Sequence, residues 1–129
     1  MKAEIISIGD EILYGQTLDT NSHWISQELD ALGIIVDRKV TIGDQRATIL
    51  EAFAAAHSRA DLVLITGGLG PTNDDLTKPC LVEYFKTQLI RNHDVLTHIQ
   101  QLFLKAGREM SILNEQQADL PANCEVVKN

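Results

Sequence analysis

Basic residues are scarce in this chain. Eleven lysines and arginines stand against eighteen acids, for a formal charge of −7. Nucleic-acid binding depends on cationic side chains displacing counterions from a phosphate backbone, so DNA and RNA are not expected partners. A small phosphate ester stays compatible, because backbone N–H groups or a divalent cation can neutralise it without a basic surface. Cysteine is also rare: Cys80 and Cys124 form no Cys-x-x-Cys, and a chain that is 44% hydrophobic needs no disulfide framework, so both read as reduced thiols. No apolar run approaches the ~20 residues of a membrane span. The isoleucines of the opening segment give way to Gly9-Asp10 too soon for a signal peptide, so a cytosolic domain without a membrane partner is expected. His23, His57, His93 and His98 have neither the i, i+4 pairing nor the Cys/His spacing of a zinc site. Neither Ser7 nor Thr20 has a neighbouring histidine to make it a nucleophile.

What is present reads as a repeating strand and helix. A chain of 129 residues holds one domain with a real core. Ala3–Ile8 is a short apolar run, and Ile25, Leu29 and Leu32 then mark an amphipathic helix capped by Asp19, Thr20 or Asn21 and ended by Gly33. Ile34–Ile42 is β-rich, and Ile49, Leu50 and Phe53 face a second helix that runs to about Ser58. Asp61–Thr66 is a third strand, Leu76–Phe85 a third helix, and Val95, Ile99, Leu102, Phe103 and Ala106 form the stripe of a fourth helix ending at Gly107. Met110–Leu120 is expected as a short helix closed by Pro121, and Cys124–Lys128 as the start of a strand. Unbroken apolar strands alternating with helices predict a parallel sheet covered on both faces.

All three strands end in glycine and acid: Gly9-Asp10-Glu11, Gly43-Asp44, and Thr66-Gly67-Gly68-Leu69-Gly70-Pro71 leading to Asp74-Asp75. In a parallel sheet these ends share one edge, where ligands of open α/β folds bind. Gly67, Gly68 and Gly70 let the backbone approach an anion, which makes Thr66, Gly67, Gly68, Gly70 and Thr72 candidate phosphate ligands. The turn has no Gly-Lys-Ser/Thr and is not Gly-x-Gly-x-x-Gly, since Asn73 replaces the last glycine. The surrounding acids Asp10, Glu11, Asp44, Asp74 and Asp75 would repel a phosphate unless a divalent cation intervened. Asp44, Asp74 and Asp75 are therefore among the candidate metal ligands, and a carboxylate left unbound could accept a proton from an attacking water or hydroxyl. Gly9, Asp10 and Glu11 complete the pocket, and one of Asp74 and Asp75 is expected to cap the third helix. Trp24 lies off the apolar stripe, open either to partial burial or to covering a ligand or subunit contact.

Four segments are familiar together: Ile8-Gly9-Asp10-Glu11-Ile12-Leu13-Tyr14-Gly15-Gln16, Asp19-Thr20-Asn21, Val40-Thr41-Ile42-Gly43-Asp44, and Thr66-Gly67-Gly68-Leu69-Gly70-Pro71-Thr72-Asn73-Asp74-Asp75-Leu76-Thr77. As a set they resemble the amino-terminal domain of the CinA family of competence/damage-inducible proteins, within the molybdopterin-binding MoaB/Mog-like superfamily. The resemblance covers essentially the whole chain. It implies a three-layer α/β/α fold with a mostly parallel sheet, a nucleotide or pterin as small-molecule partner, and a dimer or trimer as the assembly. It also implies that Asp44 and Asp75 are the catalytic pair, and it implies metal-dependent hydrolysis of ADP-ribose to AMP and ribose 5-phosphate, with Mg²⁺ or Co²⁺ as cofactor. Adenylyl transfer to molybdopterin and a non-catalytic nucleotide-sensing or assembly module are the alternatives. The family's amidase domain has no counterpart here, and its Gly-Thr-Ala-Pro-Gly stretch would follow Asn129, so a domain short at its carboxyl end with an open sheet edge is expected.

Overall fold

The computed structural model describes all residues, Met1–Asn129. Strand β1 (Lys2–Ile8) leads into a one-turn helix α1 (Asp10–Leu13) and then α2 (Thr20–Ala31). Next come β2 (Ile35–Ile42), α3 (Arg46–Arg59), β3 (Leu62–Thr66) and α4 (Thr77–Tyr84). A short β4 (Leu89–Arg91), α5 (His93–Lys105), α6 (Ile112–Glu115), a 3-10 turn (Gln116–Ala118) and β5 (Asp119–Pro121) complete the chain.

The main sheet has the order β2-β1-β3, and β1 is parallel to both neighbours. Because β2 and β3 flank β1 on opposite sides, successive crossovers of one hand place their helices on opposite faces. Alternation along β1 then divides the core. Ala3 and Ile5 pack with Leu29 of α2, Ile25 and Leu64, while Ile6 and Ile8 pack with Ile42, Ile49, Phe53, Ala56 and Cys80 on the side of α3 and α4. The result is the expected three-layer α/β/α arrangement. Burying an isoleucine stabilises by about 1.5–3 kcal/mol, so the three isoleucines of β1, Ile5, Ile6 and Ile8, form the main anchor of the domain. Glu4 shares the α3 side with Ile6. Its carboxylate, on a residue only 1% exposed, receives two bonds from Arg59, Nε to Oε2 at 2.8 Å and Nη2 to Oε1 at 2.7 Å.

Several expectations are corrected. Only β1 is buried on both faces. Strands β2 and β3 are sheet edges, so apart from Ile42 their apolar residues remain exposed or half-buried. Leu32 is the carboxyl cap of α2 and 75% exposed, because the helix has already turned away from the sheet. Met110–Leu120 is not one helix. Ser111 caps a single turn, the chain tightens to 3-10, and Asp119–Pro121 leaves as β5 to pair antiparallel with β4, a strand with no sequence signal. Cys124–Lys128 forms no strand and pairs with neither sheet. Lys78 of α4 fastens this region by donating from Nζ to the carbonyls of Gln117 at 3.2 Å and Asp119 at 3.1 Å. Cys80 is buried, Cys124 is exposed, and neither is bonded to the other.

Candidate functional site

The carboxyl ends of β1, β2 and β3 share one edge, as parallel pairing requires. In a 2-1-3 order the chain leaves β1 in opposite directions on its two sides, and the crevice at that switch point is where ligands of open α/β sheets lie. Gly9 N–H donates to the Ile42 carbonyl at 2.9 Å, tying the end of β1 to the end of β2. The next residues lock together: Asp10 N–H donates to Asp44 Oδ2 at 3.2 Å, and Asp44 N–H to Asp10 Oδ1 at 3.1 Å. A Cβ on Gly43 would stand 2.5 Å from Asp10 Oδ1, so only glycine lets that carboxylate lie against the chain. Glu11 folds back over Gly9, where an added Cβ would meet its Oε1 at 2.7 Å.

The turn after β3 is held from below. Gly67 has φ 89°, and a Cβ there would lie 2.0 Å from the Ile8 carbonyl oxygen, a position only glycine can occupy. Buried Thr77, at the start of α4, donates from Oγ1 to the Gly67 carbonyl at 2.7 Å and from N–H to the Gly68 carbonyl at 3.1 Å. With its carbonyls fixed, the turn leaves the N–H groups of Gly68, Leu69 and Gly70 without a partner in the protein. Such consecutive free donors suit an anion. Thr66, Gly67, Gly68 and Gly70 all lie at the carboxyl end of β3 or in the turn that follows it.

The acids divide. Asp44 is half-buried, and its pKa is raised from 3.8, first by burial and further by the charges of Asp10, Glu11 and Asp75, against the opposing pull of the Asp10 N–H. Asp10, Glu11 and Asp75 are thus each brought within electrostatic reach of Asp44. Asp75 does not cap α4. Its Oδ2 accepts from Thr72 N–H at 3.2 Å and Thr72 Oγ1 at 2.6 Å, and the cap position before α4 is Leu76, which offers no side-chain bond. A short acidic side chain bonding its own loop competes with capping. Thr72 therefore orients Asp75 in addition to lying beside the turn. Asp74 is exposed on the outer bend of the loop.

Two contributors were read only as parts of a helix cap. Asp19 does cap α2, accepting from Ser22 N–H at 3.0 Å, but it also accepts from Ser7 Oγ at 2.6 Å, at the end of β1. Burial acts to raise the Asp19 pKa, yet the bonds from Ser22 and Ser7 outweigh it and the value falls. Asn21 Nδ2 reaches Thr66 Oγ1 at 3.4 Å, bringing the start of α2 to the root of the glycine turn. The available signal was the connection itself, since a loop leaving β1 must start its helix over the same edge.

No group of three or more His, Cys, Asp or Glu side chains is placed to hold a metal by itself. The residues present suit a cation shared with a ligand: Asp10 and Asp44 supply only oxygen donors, and no basic residue is among the charges acting on Asp44. The carboxyl edge is an open crevice. Two concavities lie elsewhere, about 720 Å³ between α5, Leu120 and the irregular 126–129 tail, and about 380 Å³ along β3 beside Phe53, Tyr84 and Phe85. Neither holds a free N–H turn facing carboxylates, and polar geometry takes precedence over volume in locating the site.

A doubly wound parallel sheet with a glycine turn opposed by carboxylates at its switch point defines an α/β ligand-binding domain. Residues 4–126 match the family described as "Probable molybdopterin binding domain", and the chain belongs to that family. It is 55% identical to the "CinA-like protein" of Cytophaga hutchinsonii over 98% of its own length, and it spans 30% of that relative. Among solved structures, CinA of Thermoplasma acidophilum superposes with a TM-score of 0.84 at 32% identity, over 99% of this chain and 75% of the other. The tungsten cofactor synthesizing protein MoaB of Pyrococcus furiosus superposes with a TM-score of 0.58 at 25% identity, over 82% and 64%. No helix is long and apolar enough to cross a membrane.

Proposed function

We propose that the domain is a metal-dependent pyrophosphohydrolase acting on ADP-ribose to release AMP and ribose 5-phosphate. The observation that carries this reading is the pairing of free Gly68, Leu69 and Gly70 N–H groups with a set of carboxylates that has no basic partner. The choice of ADP-ribose rests on the resemblance to the CinA family. The turn would hold a phosphate through its N–H groups, and Asp44 with Asp10 would share a Mg²⁺ or Co²⁺ ion with it. When bound, such an ion supplies charge neutralisation of the diphosphate. Asp75, fixed by Thr72, would orient a water and accept its proton as the P–O bridge breaks. Incubation with ADP-ribose and Mg²⁺ or Co²⁺ is expected to yield AMP, and Asp75→Asn to abolish it while ADP-ribose still binds. A folded protein that yields no AMP with either ion would remove the assignment.

A second reading is adenylyl transfer to molybdopterin, for which the family description supports only the binding of the pterin. Formation of adenylated pterin from ATP is its test. Binding without turnover in either assay, unchanged in Asp75→Asn, would leave a nucleotide-sensing or assembly module. The reading includes a homo-oligomer, for which the unpaired edge of β3 offers a surface; sedimentation at several concentrations tests it.

A further inference from the structure

The chain has one tryptophan, and it stands exposed on the helix whose first turn reaches this site. Trp24 lies on α2 and is 61% exposed. The helix is held to the sheet by other positions, with Ser22 and Leu29 buried and Ile25 half-buried, so the indole plays no part in the core. Residues three apart share a helix flank, which places Trp24 one turn beyond Asn21, the residue that touches Thr66. Helical side chains lean toward the helix amino terminus and cover the turn before their own Cα. That lean carries the indole toward Asn21 and the carboxyl edge.

Other rings do not compete for this position. Phe53, Tyr84 and Phe85 pack edge to face with one another along β3, and Phe103 lies on α5. Tyr14, 71% exposed, follows α1 on the opposite side, where Leu13 would contact a Cβ on Gly43 at 3.4 Å. A flat apolar face left in water beside an anion site has the chemistry to receive a fused heterocycle, because stacking removes two apolar faces from water at once.

We propose that Trp24 is the stacking platform for the aromatic ring of the ligand whose phosphate occupies the Gly67–Gly70 turn. This rests on the phosphate-ligand reading above and assigns specificity for the fused nitrogen heterocycle to one residue. AMP and ribose 5-phosphate differ by the adenine alone, which makes them the probes. Both are titrated by calorimetry, with Mg²⁺ present, into the unsubstituted chain, Trp24→Ala, Trp24→Phe and Tyr14→Ala. AMP, and not ribose 5-phosphate, is expected to quench the single indole. Trp24→Ala is expected to bind AMP about 10- to 100-fold more weakly with ribose 5-phosphate unchanged. Trp24→Phe should recover part of the loss, and Tyr14→Ala should leave both ligands unaffected.

Equal AMP affinity in Trp24→Ala and the unsubstituted chain overturns the proposal, as does a loss carried by Tyr14→Ala instead. An unsubstituted chain that binds AMP no more tightly than ribose 5-phosphate removes the stacking and leaves the anion site standing. Binding of neither compound removes the anion site and the platform together. Unchanged thermal unfolding of Trp24→Ala verifies that the substitution acts on binding.

Discussion

The two ends of β1 treat carboxylates in opposite ways. At the amino end Glu4 is bonded twice by Arg59, and that hydrogen bonding holds its pKa below 4.5 against the effect of burial. At the carboxyl end Asp44 is raised above 3.8 by burial and by the like charges of Asp10, Glu11 and Asp75. One acid is neutralised within the fold and the other is left in need of a proton or a cation. A charge with its own partner serves stability, whereas a cluster without one is stored cost, released when a ligand or cation arrives.

The largest test of this contrast is Gly67→Ala. The added Cβ would meet backbone 2.0 Å away at the end of β1, which no side-chain rotation relieves. A loss of about 3 kcal/mol in urea unfolding is expected, together with loss of nucleotide binding. Thr77→Val comes next. It keeps the shape of a fully buried residue but leaves the Gly67 carbonyl without its 2.7 Å donor, for a loss of about 2 kcal/mol.

Glu4→Gln is expected to cost about 1–2 kcal/mol at pH 7, less than a fully buried pair because the Arg59 side chain stays 40% exposed. Its signature lies in pH. The folded pKa is depressed, so the contribution of the pair is present above 4.5 and lost as pH falls through the folded value. The substitution should flatten that acid limb. Asp44→Asn should do the reverse. A raised folded pKa means that stability falls as pH rises from 3.8 through the folded value, and an amide removes that cost while still accepting the Asp10 N–H. A gain of about 0.5–1 kcal/mol near neutral pH is expected, with metal-dependent nucleotide binding lost. A destabilised Asp44→Asn, measured by thermal unfolding, would reverse the contrast between the two ends.

Legibility followed the range of the interactions. β1, α2 and α3 were readable because apolar period and cap lie within a few residues of each other, as with Asp19 and Ser22. β4 and β5 were not, since three residues carry no period and Leu89, Ile90 and Arg91 become a strand only because Pro121, Leu120 and Asp119 lie opposite. Within the site, the glycines and the aspartates at the strand ends stood out by residue type. The turning of Asp75 onto Thr72 and the reach of Asn21 to Thr66 did not. Capping, bonding within a loop and bonding across a gap use the same side-chain groups, and only the position of the partner separates them.

By itself the sequence determined the alternation of strands and helices, the residues able to meet an anion, and the absence of any basic side chain within those strand-end motifs. Tertiary structure alone decided that β1 stands between β2 and β3, that Asp10 faces Asp44, and that Glu4 finds Arg59. Strand pairing is made by main-chain groups that every residue carries, so the order of strands comes from which helix faces can be buried together, and that is a property of the whole core.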